Sequence, residues 1–200
     1  MIETTESLQN CLQQHIQRTT EVLQRVDCVA VGKMVERLYE AFHEGRRVFI
    51  FGNGGSAATA SHMQEDLAKS SLKDLSGSQR LRVQSLSDSV PFITALGNDC
   101  GYDSVFREQL ITHGSSGDIA VAISGSGNSP NVVSAVKWAK ENDLFTCGLT
   151  GFNGGKLKSM VDLSLHCPVL DMEVAENAHM VITHLLVGGL RFRLSDEVPA

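Results

Sequence analysis

"RVFIFGNGGSAATASHMQEDLAKS", residues 47–70, changes character twice within one short stretch. RVFIFG (47–52) is an apolar run of strand length, the glycines and serine after it demand a sharp turn, and 56–70 takes up helical spacing. Strand, glycine turn and helix in that order are the first half of a βαβ unit. The pattern then recurs. Strand character returns in LRVQSLS (81–87), DIAVAIS (118–124), FTCGLTG (145–151) and DLSLHCPV (162–169). Helical patterns lie between most of these, at 90–96, 103–112, 130–141 and 155–160, and a last one runs from about 174 to 193. Strands alternating with helices predict an α/β fold, a mostly parallel sheet with helices on both faces.

Upstream of this, residues 5–45 carry apolar side chains at helical spacing: Leu8, Leu12, Ile16, Val22 and Leu23, then Val31, Met34, Leu38 and Phe42. Two helices broken near Val26 to Cys28 are expected, covering a core or joining another subunit. The stretch SLKDLSGSQR (71–80) is the most loop-like. No low-complexity tract or linker interrupts the chain, so its 200 residues, 42% of them hydrophobic, predict one domain.

Composition also excludes partners. The net charge is −6 and the 17 Lys and Arg are scattered, which argues against nucleic acid. No run approaches the ~20 apolar residues of a membrane span, and the first 25 residues read as a polar helix, so a cytoplasmic protein is expected. Five cysteines without CxxC spacing fit reduced thiols rather than a disulfide frame or a cysteine-based zinc site.

Two strand ends share a chemistry. Gly52-Asn53-Gly54-Gly55-Ser56 and Ser124-Gly125-Ser126-Gly127-Asn128-Ser129 both run straight into helices. Glycines let backbone approach a ligand, and free amides at a helix start attract an anion. Hydroxyls of Ser124, Ser126 and Ser129 add donors, and Pro130 suits the first helical position. Either turn alone is equally a plain turn and cap. Two in one sheet point to a ligand beyond the carboxyl ends of the strands. There is no GxxxxGK[ST] and no acidic residue closing the second strand, so a small phosphorylated metabolite fits better than a nucleotide.

His62, Glu65 and Asp66 follow the first turn. Around a helix, Asp66 lies about 40° from His62 and Glu65 about 60° on the other side, so either carboxylate can share the histidine's face. Such a group binds a divalent metal such as zinc or works as acid and base; an exposed polar pair is the plain alternative. The last helix holds Glu173, Glu176, His179 and His184 among Val181, Ile182, Leu185, Leu186 and Val187, where apolar residues are normal. Glu176 and His179 have Glu-x-x-His spacing, but no second copy of it exists to build a di-iron site. Glu176 and His184 are about 12 Å apart along one straight helix, too far to grip one metal. If both are ligands, Glu176 precedes the helix proper or the two come from different subunits.

Taken together, GNGGSAATASHMQEDL, LGNDCGYDSVFREQL, ISGSGNSPNVVSAVKWAKE, LTGFNGGKLKSMVD and VAENAHMVITHLLVGGL resemble the sugar-isomerase (SIS) domain family, closest to its phosphoheptose isomerase branch, in matching order over nearly the whole chain. The resemblance implies a three-layer α/β fold with a five-stranded parallel sheet of flavodoxin-like order, 46–195 forming the core and 1–45 the N-terminal helices used in assembly. It implies a homotetramer with sites at subunit contacts, zinc, and a sugar-phosphate substrate isomerised between ketose and aldose, sedoheptulose 7-phosphate and D-glycero-D-manno-heptose 7-phosphate.

Carried over by position, the phosphate-binding serines fall on Ser124, Ser126 and Ser129, and the first glycine turn on Asn53, Gly54 and Gly55, with Ser56 following. The substrate-contacting pair falls on Asn98 and Asp99. The metal ligands, ordinarily His, Glu, Gln and His, fall on His62, Asp66, Glu176 and His184. Base and acid fall on Asp66 and His184, with Glu65 or Glu176 as the alternative base. The chain departs from the family pattern at Asp66 and Glu176. It also departs at Gly125, where the family often has threonine, and at AKSSLKDLSGSQ (68–79), which replaces a basic segment. A hard oxygen ligand remains at each metal position, so metal binding is expected to survive. The rival readings are a non-catalytic SIS scaffold, similar to replication-initiator-associating relatives, and a protein that isomerises or senses another sugar phosphate.

Overall fold

A computed structural model describes residues 2–72 and 79–195 of the chain; residues 73–78, inside the loop-like stretch 71–80, lie outside the described residues. Helices α1 (Ile2–Leu23) and α2 (Cys28–Glu44) precede strand β1 (Arg47–Gly52) and helix α3 (Gly55–Glu65). There follow β2 (Arg82–Ser85), α4 (Val90–Cys100), α5 (Val105–His113), β3 (Ile119–Ser124), α6 (Pro130–Glu141), β4 (Phe145–Thr150), α7 (Gly155–Met160), β5 (Leu163–His166) and α8 (Met172–Ser195). The sheet order is β2-β1-β3-β4-β5 and every neighbouring pair is parallel, the flavodoxin-like order expected.

Side-chain alternation in β1 shows how the sheet is covered on both faces. Val48 and Ile50 enter the core formed with Met34, Leu38, Met63, Ile182 and Leu186 of α2, α3 and α8. Phe49 and Phe51 enter the opposite core with Phe106, Leu110, Val132 and Val136 of α5 and α6. A strand buried on both faces must be apolar throughout, which is why RVFIFG carries no polar alternation. The Phe51 and Phe106 rings lie 5.4 Å apart between centroids.

The break between the N-terminal helices falls where it was expected. Asp27 caps α2 by accepting from the amides of Val29 (2.9 Å) and Ala30 (3.0 Å), and Gly45 closes it in the left-handed conformation. Among the cysteines, all five are free; burial pushes the Cys147 thiol up to about 12 and Cys167 to about 11. Among the described residues, no helix is long and apolar enough to cross a membrane.

Four elements differ from expectation. The helix expected over 56–70 is α-helical only to Glu65, and Asp66–Ser70 forms a π turn in which the Ser71 amide reaches back five residues to the Asp66 carbonyl (3.0 Å). The last helix begins at Met172, two residues early, because Asp171 accepts from the Val174 amide (3.2 Å). The outer strands β2 and β5 are four residues each, shorter than the apolar runs that foretold them.

Candidate functional site

The turn after β1 and the turn after β3 meet at the point where strand order reverses, and between them lies a cleft of about 270 Å³. Asn53, Gly54, Gly55, Ser56, Ser124, Gly125, Ser126, Ser129 and Glu176 line it, joined by Ile123 and Met172. No Lys or Arg is among these residues, so an anion here meets hydroxyls and amide dipoles, with the Glu176 carboxylate as the one charged side chain.

The second turn is built for this. Ser124 and Ser129 bring their hydroxyl oxygens to 3.2 Å, and Ser129, although at the N-cap of α6, makes no side-chain cap. Its hydroxyl therefore stays on the cleft side. The Gly127 amide donates to Ser124 Oγ (3.1 Å) and the Asn128 amide to Ser126 Oγ (3.2 Å). Gly127 has φ +66° and backs onto the Gly154 carbonyl so closely that a Cβ there cannot be accommodated. The loop before α7 and α7 itself brace the turn from behind: the Gly151 amide donates to the Gly125 carbonyl (2.9 Å) and the Leu157 amide to the Gly127 carbonyl (3.0 Å).

Asn131 joins the two turns and was missed in the sequence. It is fully buried, and its side-chain amide pairs reciprocally with that of Asn53, Nδ2 to Oδ1 at 2.9 Å in each direction. Asn131 Oδ1 also accepts from the Val132 amide (2.9 Å), and Tyr102 donates its hydroxyl to Asn53 Oδ1 (2.9 Å). Asn53, carried over as a substrate contact, is thus largely committed to the fold. An asparagine directly after Pro130 at a helix start was the available signal, but it reads equally as a solvated first-turn residue. Asn98 and Asp99 lie exposed at the end of α4, bonded to each other (2.8 Å), and do not line this cleft.

The second cluster lies further along the same two helices, α3 and α8. His62 Nε2 stands 3.0 Å from His184 Nε2 and 3.2 Å from Asp66 Oδ2, and His184 Nε2 stands 3.6 Å from Asp66 Oδ2. Four donors about 2.0–2.1 Å from a tetrahedral ion are roughly 3.3 Å apart, so these three separations fit the edges of one zinc coordination shell. Two imidazoles and a carboxylate are also a donor set zinc accepts. Asp88, another residue not singled out in the sequence, steadies α3 beside them: it accepts from Ser61 Oγ, Ser85 Oγ (2.9 Å) and Gln64 Nε2 (3.3 Å).

Two candidate residues stand apart from that cluster. Glu65 is 51% exposed and pairs with Lys69 Nζ (3.0 Å), whereas the Asp66 carboxylate is only 15% exposed. Glu176 lies inside α8, not before it, with its carboxylate packed against Gly55 in the anion cleft. Eight residues of helix, about 12 Å, separate it from His184, so within one chain it does not join the His62, Asp66 and His184 set. The two histidines of α8 occupy opposite environments. His184 is 55% exposed, while His179 is fully buried, with no hydrogen-bond partner on either ring nitrogen. Burial draws the His179 pKa down to about 4, against a smaller upward pull from the nearby Thr150 backbone.

Comparison with known proteins agrees with this architecture. The family model described as SIS domain matches residues 13–151. A phosphoheptose isomerase of Pelobacter propionicus is 40% identical over 153 residues, 76% of this chain and 79% of that protein. One from Rhodospirillum rubrum is 36% identical over 163 residues, 81% and 85% of the two chains. Among solved structures, phosphoheptose isomerase GmhA from Neisseria gonorrhoeae superposes with a TM-score of 0.83 at 29% identity, covering 94% of this chain and 98% of that one. A phosphoheptose isomerase from Francisella tularensis gives 0.85 at 26% identity with the same coverage.

Proposed function

The chain belongs to the SIS domain family, within its phosphoheptose isomerase branch, and on that premise we propose that it is a metal-dependent ketose–aldose isomerase interconverting sedoheptulose 7-phosphate and D-glycero-D-manno-heptose 7-phosphate. One observation carries the reading: α3 and α8, which supply Gly55, Ser56 and Glu176 to the cleft of hydroxyls and amides, also bring His62 and His184 together with Asp66, just past the end of α3. The cleft suits a phosphate group, and the donor set suits the carbonyl end of a sugar. The supply of a heptose for surface polysaccharide or nucleotide-heptose synthesis follows from the relatives' substrate.

Isomerisation takes a proton from the carbon beside the carbonyl, returns it to the neighbouring carbon, and stabilises an enediolate oxygen between the two steps. His62, Asp66 and His184 would hold a divalent cation, preferably zinc, which when bound polarises the carbonyl oxygen. Asp66 turns Oδ2 toward both histidines. That leaves Oδ1 to accept the proton, and the short Asp66 side chain keeps it close to the donor set. His184 is the acid of this scheme, and Glu65 becomes the base only by leaving Lys69. Glu176, whose carboxylate lies in the anion cleft of its own chain, would join the metal set only from another subunit of the proposed homotetramer. A sugar phosphate carries charge that a bilayer excludes, so the reading places the enzyme with its substrate in the cytoplasm.

The test is turnover. Zinc-loaded protein incubated with sedoheptulose 7-phosphate is expected to form the aldose, and Asp66→Ala and His184→Ala to lose at least about a hundredfold in kcat/KM. Zinc-bound protein that leaves the ketose untouched would sink the heptose assignment. An Asp66→Ala variant of full activity, beside an inactive Glu65→Gln, would move the base to Glu65.

A further inference from the structure

The anion cleft has one wall that neither its serines nor its amides explain. Met172, in the first turn of α8, extends over Gly125, the residue between Ser124 and Ser126. A Cβ built on Gly125 falls on Met172 Sδ and lies 3.2 Å from Met172 Cε. Gly125 is not among the glycines with positive φ, so its backbone admits any residue. What opposes a side chain at 125 is therefore the thioether alone. The only other apolar side chain lining the cleft, Ile123, is fully buried in the sheet. Met172 and Glu176, four residues apart, share one face of α8, so the thioether stands beside the Glu176 carboxylate at the mouth of the turn.

We propose that Gly125 and Met172 form one interlocking specificity element, in which the missing side chain at 125 admits the Met172 thioether as the apolar wall of the phosphate cleft. This rests on the phosphate reading of that cleft. The wall gives the carbon bearing the phosphate ester a surface to pack on and narrows the turn to a phosphomonoester. A thioether suits this place because it is apolar, polarisable and flexible enough to follow the ligand. A side chain added at 125 displaces the Met172 thioether from its place over the turn, and a truncated Met172 leaves the ester carbon in water.

A double-mutant cycle tests it on the full-length protein, with inorganic phosphate and sedoheptulose 7-phosphate as probes in calorimetry and with melting temperatures measured alongside. Gly125→Ala is expected to weaken binding of both probes about tenfold, and Met172→Ala to raise KM about threefold with kcat nearly unchanged. In Gly125→Ala/Met172→Ala the alanine at 125 should cost nothing further. Additive effects of the two substitutions on binding and on melting would overturn the interlock. A wild-type protein that binds neither probe, with melting temperatures still non-additive, would overturn the phosphate reading and leave the interlock standing.

Discussion

Asn131 and His179 show two ways in which a polar side chain is buried at different cost. Asn131 spends its amide on Asn53 and the Val132 backbone, so its burial is compensated. Asn131→Ala leaves Asn53 half-paired and lets the two ligand turns drift. It is expected to lower unfolding free energy by about 1–3 kcal/mol and to raise KM more than it lowers kcat. Unchanged melting and KM would show that the pair does not set the turns. His179 has no such compensation and stays neutral, its pKa near 4 against an ordinary 6.5. Between those values the unfolded chain takes up a proton that the folded chain refuses, so this contribution is full above 6.5 and is lost as pH falls toward 4. The whole difference is worth about 3 kcal/mol. Denaturant unfolding of His179→Leu beside the parent should show the variant gaining relative stability from pH 7.5 to pH 5. Parallel pH profiles would mean the imidazole is protonated in the folded state or hydrated.

Elements were legible where local chemistry dictates them. β1 announced itself because a strand buried on both faces must be apolar at every position, and α2 through the helical spacing of Val31, Met34, Leu38 and Phe42, whose ends Asp27 and Gly45 fix. Asp27→Ala should therefore lose about 1 kcal/mol of stability in chemical denaturation, with no effect on sugar-phosphate binding. The π turn over Asp66–Ser70 left no mark in the sequence, since DLAKS is ordinary helical material. Its cause is tertiary: Leu67 is fully buried, the Ser71 hydroxyl bonds the Leu67 carbonyl (2.6 Å), and Arg191 of α8 claims the Ser70 carbonyl (2.7 Å). Such widened turns frequently mark functional sites, and this one begins at Asp66.

The whole molecule leaves apolar surface uncovered on its N-terminal helix and on α4. Leu8, Leu12 and Ile16 form an exposed stripe on α1, and α4, although apolar in composition, buries none of its residues. The proposed homo-oligomer needs such faces, and Leu12→Glu is expected to lower the mass measured by light scattering while leaving the circular dichroism of the chain unchanged. An unaltered mass would remove α1 from the assembly. The sequence by itself determined the alternation of strands and helices, the two glycine turns and the family, because each depends on residues close in the chain, and it left both Glu65 and Asp66 as partners for His62. Only the tertiary structure decided that Glu176 faces the anion turn rather than His184, that Asn131 clasps Asn53, and that Met172 covers Gly125. Those outcomes depend on distances between segments far apart in sequence, which helix packing sets and no local periodicity encodes.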